Sequence, residues 1–243
     1  MLGLGISAPR AAAQYETQLM TLVDKTPIVL EAPTPFIEVS RILTDDFARY
    51  RANILASTPP SRLLAWYIPK LELKNQLNEK TGRYRMLQVQ VLKELEQVRY
   101  TSADFQKFRA ENTKGLGTIG EADVDTVFHL LDLHQFEKTA GGMKILSAAN
   151  LGPDSFTVCI ARSIVASDQL GGRGIEASIS CATYILLADK ILLLSVTGIE
   201  LSPNELGNTM RLTREWIKLL RDTNNSDTPP TPETIRTQVR TPR

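Results

Sequence analysis

Two periods run through the apolar positions of this chain, and they predict its elements. In "RYRMLQVQVL" (83–92) the second half alternates. Leu87, Val89 and Val91 point one way, with Gln88 and Gln90 between them, the pattern of a half-buried strand. "PIVLEAP" (27–33) is a short strand bounded by prolines, and "RLLAWYI" (62–68) is a buried one. Between these two, Leu43, Phe47, Tyr50 and Ile54 recur at helical spacing behind an N-cap candidate, Thr44. That helix must stop before Pro59-Pro60. A second helix, "ADFQKFRAEN", is expected behind a Ser102 cap, with Phe105 and Phe108 on one side and its end at Gly115.

The second half reads as strand-rich. "VDTVFHLLDLH" and "MKILSAAN" are expected strands. "SFTVCIARSIVA" and "ASISCATYILL" flank a Gly-rich loop, "SDQLGGRGIE", and "KILLLSVTG" follows at once. The chain then presents Ser202-Pro203-Asn204-Glu205, a capping box with proline at the first helical position. Leu206, Met210, Thr213, Ile217 and Leu220 follow as an apolar stripe, widened by Leu212 and Trp216. Arg211, Arg214, Lys218 and Arg221 are expected to face out. Strands and helices do not alternate strictly, so a parallel doubly wound sheet is disfavoured. The expected class is α+β: a largely antiparallel twisted sheet with helices packed on it, αβα-sandwich-like.

Composition narrows this little. The chain has 243 residues, 42% apolar and 23% charged, with a formal net charge of +1. One core of this size is feasible, and no global field argues for nucleic acid or an acidic membrane. Residues 15–224 are expected to form a single domain. Residues 225–243 are rich in proline and threonine and read as a disordered tail. Residues 1–14, "MLGLGISAPRAAAQ", carry a short apolar stretch and an A-x-A pattern at Ala11–Ala13. They read either as the remnant of an export signal, with its true start upstream of Met1, or as an alanine-rich tail. The longest apolar run, "TYILLADKILLLSVTG", holds Asp189-Lys190 at its middle, and reads as two strands and a tight turn rather than a membrane span.

Candidate chemistry is sparse. Gly115-Leu116-Gly117-Thr118-Ile119-Gly120 spells G-x-G-x-x-G, yet it follows a helix instead of a strand, and Glu121, Asp123 and Asp125 come next. A dinucleotide fingerprint needs the opposite context, so these glycines read as a link between two halves. Gly171-Gly172-Arg173-Gly174 reads as a hairpin tip rather than a phosphate nest. His129 and His134 are five apart, which converges on one metal neither on a strand nor on a helix. Asp45-Asp46 sit at a helix start, where they favour the macrodipole. No H-E-x-x-H, C-x-x-C, G-x-S-x-G or Walker A pattern occurs. Catalytic, cofactor-binding and metal residues are therefore assigned to none, and no cofactor is expected. Cys159 and Cys181 lie equidistant from Leu170. In a hairpin centred there they would be cross-strand neighbours, able to form a disulfide in an oxidising compartment or to stay reduced and inert in the core.

From Phe128 to Asn224, "ATYILLADKILLLSVTG" and the closing helix ending "REWIKLLRDTN" resemble the αβα sandwiches of the Mog1/PsbP-like class, and in particular uncharacterised exported bacterial proteins of that class. The resemblance implies a binding or assembly-accessory protein and supplies no catalytic residue. The expected function is thus a non-enzymatic binding or accessory role in the bacterial cell envelope, periplasmic or secreted. Its partner would be a protein or envelope component, not nucleic acid, and the chain would have no transmembrane span. The alternative is a hydrolase whose site gathers carboxylates from distant segments. A third reading sets the basic face of Arg211, Arg214, Lys218 and Arg221 against an anionic surface.

Overall fold

The structure, a computed structural model, describes residues 17–40, 42–55, 59–77, 85–114, 116, 142–167 and 173–225. Their elements run β1 (Gln18–Val23), β2 (Thr26–Glu31), β3 (Phe36–Glu38), α1 (Thr44–Leu55), β4 (Ser61–Pro69), α2 (Lys70–Leu77), β5 (Met86–Leu92), α3 (Lys93–Glu96), α4 (Ser102–Asn112), β6 (Met143–Gly152), β7 (Ser155–Ser167), β8 (Arg173–Leu187), β9 (Lys190–Thr197) and α5 (Pro203–Asn224).

Seven strands form one antiparallel sheet in the order β3-β4-β5-β9-β8-β7-β6, and β1 and β2 make a separate hairpin. Helices lie on both faces, so the α+β sandwich expected from the sequence is the architecture found. Period-two alternation explains the layering. Leu87, Val89 and Val91 of β5 join Leu192, Leu194 and Val196 of β9 in a core with Trp216, Ile217 and Leu220 of α5. Alternate residues point the other way. There Trp66 and Ile68 of β4 meet Leu73 of α2, while Phe156 and Tyr184 meet Phe105 and Phe108 of α4. Gln88 shares this second face, and its amide lies 3.4 Å from Met86 Sδ.

The hairpin lies against α5 and is held by its backbone. Tyr67 Oη donates to Leu30 O at 3.1 Å and Trp216 Nε1 to Glu31 O at 2.7 Å. The Asn224 amide donates to Val29 O at 2.8 Å and accepts from Val29 N–H at 3.0 Å. The two-residue turn between β8 and β9 falls at Ala188-Asp189, with φ 47° and 62°. Both central residues of a type I′ hairpin need that left-handed region. Lys190 is consequently the first residue of β9, and its side chain is fully buried. The ammonium donates to Glu96 O at 2.8 Å and Val98 O at 3.1 Å, with Asp24 3.8 Å away. Those carbonyls and the carboxylate replace the water a buried ammonium loses.

Several sequence readings need correction. Thr101, not Ser102, caps α4: its Oγ1 accepts from Asp104 N–H at 3.2 Å, and Asp104 Oδ2 accepts from Thr101 N–H at 3.1 Å. The Thr101 hydroxyl, which donates to Asp104 Oδ2 at 2.7 Å, and then the Thr101 N–H hold the Asp104 carboxyl below the usual aspartate range. On α5 only half of the expected capping box forms. Ser202 Oγ accepts from Glu205 N–H at 3.1 Å, but the Glu205 carboxylate turns to Ile199 N–H at 3.0 Å and to Arg85. The side-chain bonds that Arg85 donates to Glu205 raise the Arg85 pKa. The hairpin strands also run further than the glycine-rich loop suggests, since Arg173 and Gly174 already belong to β8. Strands β1 and β3 and helices α2 and α3 are additions to the predicted set. The expected strand "VDTVFHLLDLH", His129 and His134, Gly115, Gly117, Gly120, Gly171, Gly172, and residues 1–14 and 226–243 lie outside the described residues.

Candidate functional site

Where β6 meets α5, an open groove of about 440 Å³ is lined by Ala149, Asn150, Leu151, Arg214, Ile217 and Arg221. Three of these come from β6, the outermost strand of the sheet among the described residues. The other three recur at helical spacing on α5, at 214, 217 and 221, so one helix face supplies an apolar floor and two guanidinium groups.

Arg221 is the best-fixed of these side chains. Its Nε donates to Asp154 Oδ2 at 3.0 Å, and its Nη2 donates to Asp154 Oδ1 and to Ser155 Oγ. Nη1 has no partner among the described residues. The turn between β6 and β7 is shaped around this contact. Gly152 has φ 145°, a backbone conformation that favours glycine, and a Cβ built there would come 2.8 Å from Arg221 Nη2, so the end of that side chain would have to shift. From the opposite face of the sheet, Gln106 of α4 donates to Pro153 O and Arg109 donates to Gly152 O. Arg221 therefore does not face solvent as the stripe pattern predicts. It is half-buried and clamped, whereas Arg211, Arg214 and Lys218 are exposed, with Arg211 paired to Glu215 at 2.9 Å.

The strand beside the groove has a definite polarity of backbone. Ser163 N–H donates to Gly142 O at 2.9 Å, so odd-numbered residues of β7 turn their backbone groups toward β6. The pairs Ser147↔Cys159 and Ala149↔Thr157 follow that rule. In an antiparallel ladder the β6 residues that alternate with these point outward. These are Ala148 and Asn150, and β6 is the outer strand among the described residues. Register shifts at Ile145/Ser147 and Asn150/Gly152 bracket this window.

Cys159 and Cys181 are directly opposed in the β7–β8 register, with α-carbons 4.0 Å apart and sulfurs at bonding distance. The cross-strand pairing expected for these two cysteines is thus the register found between β7 and β8. Both residues are fully buried beneath Leu206 and Met210 of α5.

No group of three or more His, Cys, Asp or Glu among the described residues is arranged to hold a metal, and none of their helices is long and apolar enough to cross a membrane. Buried Glu205 is committed to Arg85 and Ile199, and Glu38 accepts from Ser40 N–H at 2.8 Å. Tyr67 and Tyr184 have raised pKa values, in both cases chiefly through burial.

No family model and no curated protein matches the sequence. Among solved structures the chain is similar to the 1.9 Å crystal structure of the Saccharomyces cerevisiae Ran-binding protein Mog1p, with 10% identity and a TM-score of 0.34 over 87% of this chain and 93% of that one. At that identity and score no residue or partner is carried over from it.

Proposed function

We propose that this chain is a non-enzymatic binding or assembly-accessory protein of the bacterial cell envelope, periplasmic or secreted, that takes an extended segment of a protein partner along the outer edge of β6. One observation carries the reading: the outward backbone window of Ala148 and Asn150 lies beside a groove with an apolar floor. Strand addition uses this pair of features, since main-chain hydrogen bonds give affinity and a neighbouring pocket selects a side chain. The bulges on either side also blunt the rest of the edge, which favours a short guest segment over a long strand-to-strand pairing. Export is supported by the Ala11–Ala13 pattern and by the opposed cysteines.

A photo-reactive amino acid placed at Asn150 tests the reading in cells. A discrete protein adduct is expected from Asn150 and not from Gly207, an exposed position on α5. The adduct should be lost in Ala148→Pro. That change removes only an outward N–H, so the β6–β7 ladder survives. Adducts of equal yield from both positions, or an Asn150 adduct indifferent to Ala148→Pro, would count against strand addition.

A further inference from the structure

We infer that oxidation of Cys159 and Cys181 sets the first bulge of β6, so that the outward window opens only in a chain that has met an oxidant; this rests on the strand-addition reading above. Three placements carry it. First, the disulfide adjoins the β6 ladder. Odd-numbered residues of β7 turn their backbone toward β6, so the backbone of Cys159 faces Ser147 while its side chain meets Cys181 of β8. Second, the bulge is packed on the disulfide. Leu146 has no partner of its own in β7. It and Ser147 are both fully buried, which breaks the alternation of a regular strand. Leu146 shares one cluster with both cysteines and with Leu206 and Met210 of α5. Third, the cluster reaches the groove, because Ala149 packs against it and also lines the groove.

A closed disulfide holds its sulfurs at about 2 Å, whereas two thiols need a contact of roughly 3.5–4 Å. A close-packed interior has no void to take up that difference. Ala161 and Ile179 are fixed opposite each other in the ladder. Helix α5 is fastened at its start by Ser202 and, through Glu205, by Arg85. Leu146 lacks a ladder partner, so it is the side chain that yields. When Leu146 leaves the cluster, β6 loses its bulge by a one-residue slip, and such a slip reverses the inward and outward sets. Ser147 and Ala149 then face out, and Ala148 and Asn150 turn toward β7.

Both cysteines lie fully buried beneath Leu206 and Met210, so the bond forms before α5 is seated. The oxidant is a disulfide of another molecule. One cysteine thiolate attacks it and releases a thiol, leaving a mixed disulfide, and the second thiolate displaces the other half. The chain gives up two electrons and two protons, and the oxidant leaves as two thiols. Until then the edge is out of phase with its groove, which guards it against premature pairing.

The test refolds the full chain from urea, once oxidised and once with a phosphine reductant, because the buried bond is not reached in the folded state. Residue-resolved amide exchange then reads β6 with no partner present. In the oxidised chain Ser147 and Ala149 should be protected, and Ala148 and Asn150 should not. In the reduced chain Ser147 and Ala149 should exchange about tenfold faster or more, and Ala148 and Asn150 more slowly. The double variant Cys159→Val and Cys181→Val keeps an apolar pair that cannot bond. It should behave as the reduced chain does, and it decides the case where the reduced chain fails to refold. In cells it should lose the Asn150 adduct. An unchanged β6 pattern in the reduced chain and the double variant, with the β7–β8 ladder still protected, would overturn the redox inference and leave strand addition standing. An undiminished adduct from the double variant would do the same. A β6 pattern that follows oxidation, beside an Asn150 adduct indifferent to Ala148→Pro, would keep the redox control and overturn strand addition.

Discussion

Arg221 on the last helix and Asp154 in the turn between β6 and β7 face each other side-on, and Gly152 leaves the space in which they meet. The pair joins the helix to the sheet edge beside the groove. Because both side chains are about a quarter to a third exposed, the coupling should be modest, about 1 kcal/mol in a double-mutant cycle of Arg221→Ala and Asp154→Ala. Gly152→Ala should cost more, about 1–3 kcal/mol, because it places an L side chain in a disfavoured backbone region and against the guanidinium. Urea unfolding measures all four variants. A Gly152→Ala protein as stable as the parent would show that the turn is not built around Arg221.

The docking of α5 has its own signature. Ser202→Ala removes the acceptor for Glu205 N–H and should cost about 1 kcal/mol. Ile217→Ala empties a buried site between helix and sheet and should cost about 2–5 kcal/mol. Equal and negligible effects in the same unfolding measurement would mean that the helix is not seated on the sheet as described.

These two helix expectations were readable from local pattern alone, and so were most strands. A capping residue, an apolar stripe and period-two alternation are each written within a few positions. The Arg221 clamp was not readable. Leu151 to Ser155 has the composition of an ordinary turn, and nothing near it says that its carboxylate meets a guanidinium 67 residues later. The burial of Lys190 was unreadable for the same reason. Lys190 opens the strand read from "KILLLSVTG" as expected, but the carbonyls of Glu96 and Val98, more than ninety positions earlier, let its charge be buried. Glu205 fits a capping box by spacing, yet Arg85 competes for it from 120 positions away. The outward window of β6 depends on the phase of the ladder and on two bulges, at which Leu146 and Leu151 of β6 have no partner of their own in β7.

Tyr67 should make stability sensitive to alkali. Burial, then the neighbouring Glu38 and Glu31, push its phenol well above the ordinary tyrosine value. The unfolded chain would ionise near pH 10 while the folded one stays neutral. The stabilisation is therefore complete below that pH and is lost as pH rises toward the folded value. Tyr67→Phe should lower stability at neutral pH by about 1 kcal/mol, through the lost bond to Leu30 O, and should flatten the decline above pH 10. An unchanged alkaline slope would assign that sensitivity to other groups.

Oxidation of Cys159 and Cys181 links the fold to the proposed compartment. Closing a loop with a sequence separation of 22 should add about 3 kcal/mol in the chain-entropy view. Mass spectrometry of alkylated protein from its native source should find no free thiol and a chain beginning near Gln14. Two alkylated cysteines and an intact Met1 would contradict export while leaving the β7–β8 register untouched.

Residue-resolved amide hydrogen exchange, on the chain alone and bound to the protein captured from Asn150, reads strand addition at the atoms that would make it. Ala148 and Asn150 should become strongly protected in the complex, while Ser147 and Ala149, already turned toward β7, should change little. Unchanged exchange at Ala148 and Asn150 in a saturated complex would contradict binding along β6.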